Sequence, residues 1–122
     1  MRDTEYQSLD GLALADLLAR REVNPENLMA CAIKLARERA PALNALCYER
    51  YEESLDVARS WQPRGVFGAI PFLLKDSGLA HTRFPSSIGS RLLEDTRYAR
   101  NATLADRFEA AGLIPFARTT VP

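Results

Sequence analysis

A chain of 122 residues, 47% hydrophobic and 26% charged, has the size and composition of one ordinary globular domain, which excludes disordered and fibrous classes. Its sixteen basic residues balance sixteen acidic ones, so no charge excess points to nucleic acid or a membrane surface as partner. The opening MRDTEYQS is polar and carries both signs of charge, and no apolar run approaches membrane-spanning length, so neither a signal peptide nor a spanning helix is expected and the expected location is the cytoplasm.

The first third reads as helical. Asp10 can cap a helix whose Leu14, Leu17 and Leu18 share one face, with Arg20, Arg21 and Glu22 at its wet end. Asn24-Pro25 then offers a cap and a first-turn proline for a second helix, with Leu28, Ala32, Leu35 and Ala36 facing a core. Pro41 is expected to end it. Leu43 to Tyr48 reads as an extended or poorly periodic link. A third helical pattern runs from Glu49 to Trp61, with Leu55 and Ala58 inward and Tyr51 and Trp61 as further candidates, and Gln62-Pro63-Arg64-Gly65 breaks it. Cys31 and Cys47 fit no metal or redox spacing and read as free buried thiols. The single histidine, His81, argues against a metal site built on several imidazoles, and no metal or cofactor is expected.

The composition changes at Gly65. Ile70, Pro71, Phe72, Leu73 and Leu74 form a continuous apolar run between glycines, which predicts a strand buried on both faces, with Pro71 tolerable near its start. Lys75 follows at the carboxyl end of that strand, the edge where ligand crevices form in open α/β sheets. Read alone, Lys-Asp at such a place marks a solvated strand end. A polar, turn-rich stretch comes next and continues to Arg100, with one helical turn at Arg91 to Glu94, and loops of this length are often functional. Its serines, taken singly, read as turn or cap residues. Asn101 is expected to cap a helix carrying Leu104, Phe108 and Ala111, closed by Gly112 in a left-handed conformation, and Leu113 to Ala117 is the next strand. Strand, helical crossover, strand makes a parallel βαβ unit. Pro115 is awkward in a central strand; either the strand is irregular there or it begins after the proline.

A two-stranded parallel pair leaves both edges of the sheet bare, and such sheets are built up and covered on both faces. The expectation is therefore an N-terminal part of a larger α/β protein, its remaining strands lying beyond Pro122.

The tract FGAIPFLLKDSG from Phe67, then SSIGSRLL from Ser86, then NATLADRFEAAGLIPFARTTVP from Asn101 resembles the amidase signature family in order, spacing and residue type. The resemblance covers about Leu9 to Pro122 and is specific from Gly65 onward. It implies an α/β fold, the N-terminal portion of the amidase signature fold, with helices packed on a mixed, largely parallel central sheet and truncated after the first strands. Residues 1–122 would form one fragment of a single amidase domain, 1–62 a helical lead-in and 63–122 the start of the core sheet. The implied activity is amide hydrolysis by a Ser-cisSer-Lys triad, in which Lys75 matches the catalytic lysine. The two serines belong to a Gly/Ser-rich segment downstream, and no such segment precedes Pro122. Asp76 would orient the loop, and Gly89 and Ser90 match a Gly-Ser pair that would shape the active-site wall. Substrate-binding residues stay unassigned. Where the family usually has Gly-Lys-Thr-Asn, this chain has Ala117-Arg118-Thr119-Thr120, a change expected to touch packing or loop contacts rather than the mechanism.

The expected partner is a small-molecule amide, with a homodimer also entertained and neither nucleic acid nor membrane. Two other readings stay open: the A-type subunit of a tRNA-dependent amidotransferase, and a catalytically inactive truncated remnant. The isolated 122 residues, holding a base without its nucleophile, are expected to be inactive.

Overall fold

Two helices begin where a side chain accepts an amide that the helix itself leaves unpaired. In a computed structural model describing residues 1–122, the Asp10 carboxylate accepts the Ala13 N–H at 2.8 Å and starts α2, Gly11–Ala19. Asn24 Oδ1 does the same for Asn27 at 2.8 Å, with Pro25 in the first turn of α3, Pro25–Leu43. A short α1, Asp3–Ser8, precedes them; it buries nothing fully and is tied to α3 by Lys34 with Asp3 and Arg39 with Gln7. The core face of α3 is wider than the expected stripe. Met29 and Ile33 are buried with Leu28 and Ala32, while Leu35 and Ala36 are half-buried.

Pro41 does not end α3. It sits in the last turn, where a missing N–H costs one helical bond, and the helix stops at Asn44, whose φ of 49° is left-handed. The Asn44 and Ala45 amides then turn back onto the carbonyls of Pro41 and Ala40.

The link after α3 contains a strand that the sequence did not announce. β1, Leu46–Cys47, pairs antiparallel with a later strand, and two residues are too few to show an alternating pattern. Helix α4, Tyr51–Ser60, follows, burying Tyr51, Ser54 and Ala58. Trp61 closes it, its indole N–H donating to the Gly68 carbonyl at 3.0 Å.

β2, Ile70–Lys75, and β3, Leu113–Thr119, run parallel as the βαβ pattern requires, and the sheet order is β1-β3-β2. The register slips between Phe72 and Leu73: Pro115 faces Phe72, Ala117 faces Leu73, and Phe116 is the extra residue. The strand is therefore irregular at Pro115 rather than starting after it. Side chains and loops use the carbonyls there, Ser54 Oγ and Arg83 Nη2 donating to Pro115 O and the Arg50 N–H to Phe116 O.

β3 is buried nearly throughout, but β2 is not the doubly covered strand that its apolar run suggests. It lies at the sheet edge; only Ile70 and Leu74 are buried, and Pro71, Phe72 and Leu73 are half-buried. The Ile70 N–H donates to Gly112 O, just before β3, and the Asp76 N–H to Thr119 O within it, so with a period of two the odd-numbered amides face the open edge. Pro71 falls in that odd set, where its missing N–H breaks no ladder bond.

Helix α5, Thr103–Ala110, packs Phe108 on Phe72 with ring centroids 4.9 Å apart. Asn101 is not its cap. The cap position is Ala102, without a side-chain bond, and Asn101 instead accepts from the Thr82 N–H and donates to Asp106. Its inward face is carried by Ala105 and Phe108, since Leu104 is 50% exposed. Gly112, with φ of 96°, makes the turn into β3.

Candidate active-site segment after β2

The polypeptide between Lys75 and Arg100 is held by a few buried polar groups. Asp76, 1% exposed, is the first. Its carboxylate accepts the Ser87 hydroxyl at 2.7 Å and the Ser87 N–H at 3.1 Å, folding the loop back on the end of β2. This is the loop-orienting part that the sequence suggests for it.

Burial works against the Asp76 charge, but hydrogen bonds from Ser86 and Ser87 and the nearby Arg118 guanidinium outweigh it and hold the carboxyl below the ordinary value. A depressed folded-state pKa means stability that is present above the unfolded value, near 4 for an aspartate, and lost as pH falls through the folded value. The urea stability of the protein should therefore exceed that of Asp76→Asn at neutral pH, with the gap closing below about pH 4. A gap of constant size down to pH 2.5, on the same scale, would mean that the carboxylate charge contributes nothing.

Arg118, fully buried on β3, is the second group. Its Nε donates to Pro85 O at 2.6 Å, Nη1 to Lys75 O at 3.0 Å, and Nη2 to Leu79 O and Phe84 O at 2.9 Å each. Burial lowers its pKa, countered chiefly by the Asp76 charge. Nothing in the spacing of Ala117-Arg118-Thr119 revealed this hub. The one available signal was a cation placed directly after an apolar strand, which must find partners if buried.

His81 is a third tie. Nδ1 accepts the Arg83 N–H at 3.1 Å, which leaves the proton on Nε2, 2.6 Å from Glu109 Oε1 of α5. The ring is buried edge-on to Phe84. With these contacts the lone histidine is a link between loop and helix.

Lys75 itself is exposed, and its ammonium makes no hydrogen bond or ion pair within the chain. The expectation of a lysine emerging from a dry strand is corrected on this point. The physical reason is face and cover: residue alternation sends Leu74 and Asp76 to a covered side and Lys75 to the other, past the α3 groove that half-buries Pro71 and Leu73. Gly89 and Ser90, with Cys47, Tyr48, Ser87, Arg91 and Glu94, border an open cleft of about 330 Å³. An apolar groove of about 460 Å³ also runs beside β2, between Leu73, Phe72 and Phe116 and the α3 residues Ala36 and Ala40. Lys75 lines neither.

Burial and the Asp76 charge push the Cys47 thiol up to about 11, so it stays protonated near neutrality and is no ready nucleophile. Cys31 and Cys47 are both free and half-buried. The fold brings together no group of three or more His, Cys, Asp or Glu side chains suited to a metal ion, and no helix is long and apolar enough to cross a membrane.

An edge lysine at the carboxyl end of a parallel strand, followed by a loop that Asp76 binds through Ser87, can be set against known proteins. The amidase family model matches residues 28–122, and the chain belongs to that family. Among curated relatives it is similar to a lipoamidase of Enterococcus faecalis, 28% identical over 121 residues, covering 98% of this chain and 17% of the relative. It is also similar to the A-type subunit of the glutamyl-tRNA(Gln) amidotransferase of Cupriavidus pinatubonensis, 35% identical over 115 residues, covering 88% and 22%. Among solved structures, a bacterial aryl acylamidase of the amidase signature family superposes with a TM-score of 0.83 at 22% identity, covering 93% of this chain and 25% of that one. A 6-aminohexanoate cyclic dimer hydrolase complexed with substrate gives 0.84 at 22% identity, covering 93% and 24%. These structural likenesses show the α/β amidase signature fold. The chain spans about a quarter or less of the length of each of these proteins.

Proposed function

We propose that these residues are the N-terminal part of a single-domain amide hydrolase, in which Lys75 is the proton acceptor for a pair of serines carried by polypeptide beyond Pro122. The family membership of residues 28–122 carries this reading, together with Lys75 at the carboxyl end of a strand parallel to its neighbour. An amide carbonyl is a poor electrophile and a serine hydroxyl a poor nucleophile. The hydroxyl must lose its proton as it attacks, and fixed donors must hold the developing oxyanion. An ammonium cannot accept that proton. Burial disfavours the charged form of a lysine and frees a neutral amine near neutral pH. In this reading further polypeptide closes over the open end of β2 and supplies that burial. The proton passes from the attacking serine through the bridging serine to Lys75, then returns to the leaving amine. The reading is of a cytoplasmic enzyme acting on a small-molecule amide, with no cofactor and with neither nucleic acid nor membrane as partner; the 122 residues alone have no turnover.

Lys75→Ala in the complete gene product should lower amide hydrolysis by about 10²- to 10⁴-fold, the usual worth of a positioned base. Near wild-type hydrolysis by that variant refutes the role. A fluorophosphonate probe should label the complete product and leave the isolated 122 residues unlabelled.

A second reading is favoured by the relatives named as A-type components of amidotransferases, one of them 35% identical. It keeps Lys75 in the same role, but transfers the released ammonia within a complex instead of losing it to water. Glutamine turnover that appears only when the partner proteins of such a complex are added would select it. Hydrolysis of simple amides by the purified protein alone would select the first.

A further inference from the structure

We propose that Arg118 is a positioning residue for Lys75, a role that rests on the reading of Lys75 as the base. The guanidinium has five N–H donors in a planar fork, and the contacts described above direct four bonds to four carbonyls. All four acceptors, Lys75, Leu79, Phe84 and Pro85, belong to one stretch of chain, the segment that leaves β2. The clamp therefore grips Lys75 by its own carbonyl and grips the loop in front of it at three further points. It is also mounted rigidly. Arg118 sits on β3, the central strand, in register with Leu74 on one side and Cys47 on the other.

The side chain of Lys75 has no partner within the chain to fix it, so its backbone is what these residues hold. Asp76 fixes the next residue through Ser87, and the two devices meet, since the Asp76 and Arg118 charges attract. Arg118 touches neither the Lys75 amine nor any space a substrate could enter, being fully buried. It acts on the base through the main chain. A lysine at this place would have three donors on a single nitrogen and could not reach the four carbonyls, which lie along both sides of the fork.

The test uses the complete gene product and a readout that needs no known substrate, the rate of fluorophosphonate labelling across pH. Arg118→Lys should keep the fold, checked by thermal melting. Its labelling should fall by about 10- to 100-fold, the scale of a misplacement near 1 Å, with the midpoint of the pH profile displaced. A purely structural arginine would lower the melting temperature and leave the pH midpoint where it is. A folded Arg118→Lys protein with wild-type rate and midpoint overturns the proposal. If Arg118→Lys does not fold, Arg118→Gln takes its place, and failure of both to fold overturns a positioning role separable from folding. Lys75→Met in the same assay separates the two ideas. Wild-type labelling by Lys75→Met defeats the reading of Lys75 as base, whereas loss in Lys75→Met with no change in Arg118→Lys defeats the positioning role alone.

Discussion

Gly112→Ala should destabilise the protein by at least about 4 kcal/mol, the upper end for single substitutions. Two effects add. The φ of 96° lies outside the region that an L side chain adopts readily. A Cβ there would stand 2.3 Å from the Arg64 carbonyl oxygen and 2.5 Å from the Gly68 nitrogen, both backbone atoms in a turn closed by mutual hydrogen bonds. Neither can swing aside as a flexible side chain would. Displacing that turn also strains the Ile70 N–H bond to Gly112 O, which opens the pairing of β2 with β3. Gly78→Ala is the control, because Gly78 has a φ of 68° but nothing within 4 Å of its added Cβ. It should cost only the conformational term, about 1–2 kcal/mol. Urea midpoints measured on both variants decide the matter, and equal losses would mean that the close approach at residue 112 is not what makes glycine necessary.

Arg118→Met should cost about 3–5 kcal/mol, as removal of one member of a buried charged pair does. The substitution keeps much of the length and apolar stem of the side chain. What it removes is the donor set, leaving the carbonyls of Lys75, Leu79, Phe84 and Pro85 without their arginine and Asp76 without its neighbouring positive charge. The damage should be local before it is global. Amides of residues 76–87 should lose hydrogen-exchange protection at denaturant concentrations where α3 and β3 keep theirs. Uniform loss across the molecule would instead show that the loop and the core unfold as one unit.

Local side-chain chemistry made much of this fold readable in advance. Asp10 and Asn24-Pro25 start helices because a carboxylate or amide oxygen within reach of a free N–H acts wherever the chain goes next. Gly112 and the run from Ile70 were readable for the same reason, one needing a left-handed turn and the other an apolar surface. The readings that failed depended on tertiary placement. Pro41 stays helical because a proline three residues from a helix end forfeits little. Asn101 spends its side chain on Thr82 and Asp106, a contact nineteen residues back that no cap pattern encodes. β1 exists only because β3 offers it an edge. Around Lys75, the motif placed the lysine at the end of a parallel strand and anticipated the loop contacts of Asp76, but not the exposure of the amine. Exposure follows from where the covering helix stops along the strand, and apolar content does not report that.

The position of β2 has a consequence for the 122 residues in isolation. The amides of Leu73 and Lys75 point outward with no neighbouring strand, so this margin is a template on which another extended segment can add. Two features restrain it: Pro71, which interrupts the row of donors, and the Lys75 charge, which penalises stacking of like copies. Self-association into ribbons is thus opposed by the very lysine to which we assign the chemistry, and neutralising that side chain removes a solubility safeguard along with the base.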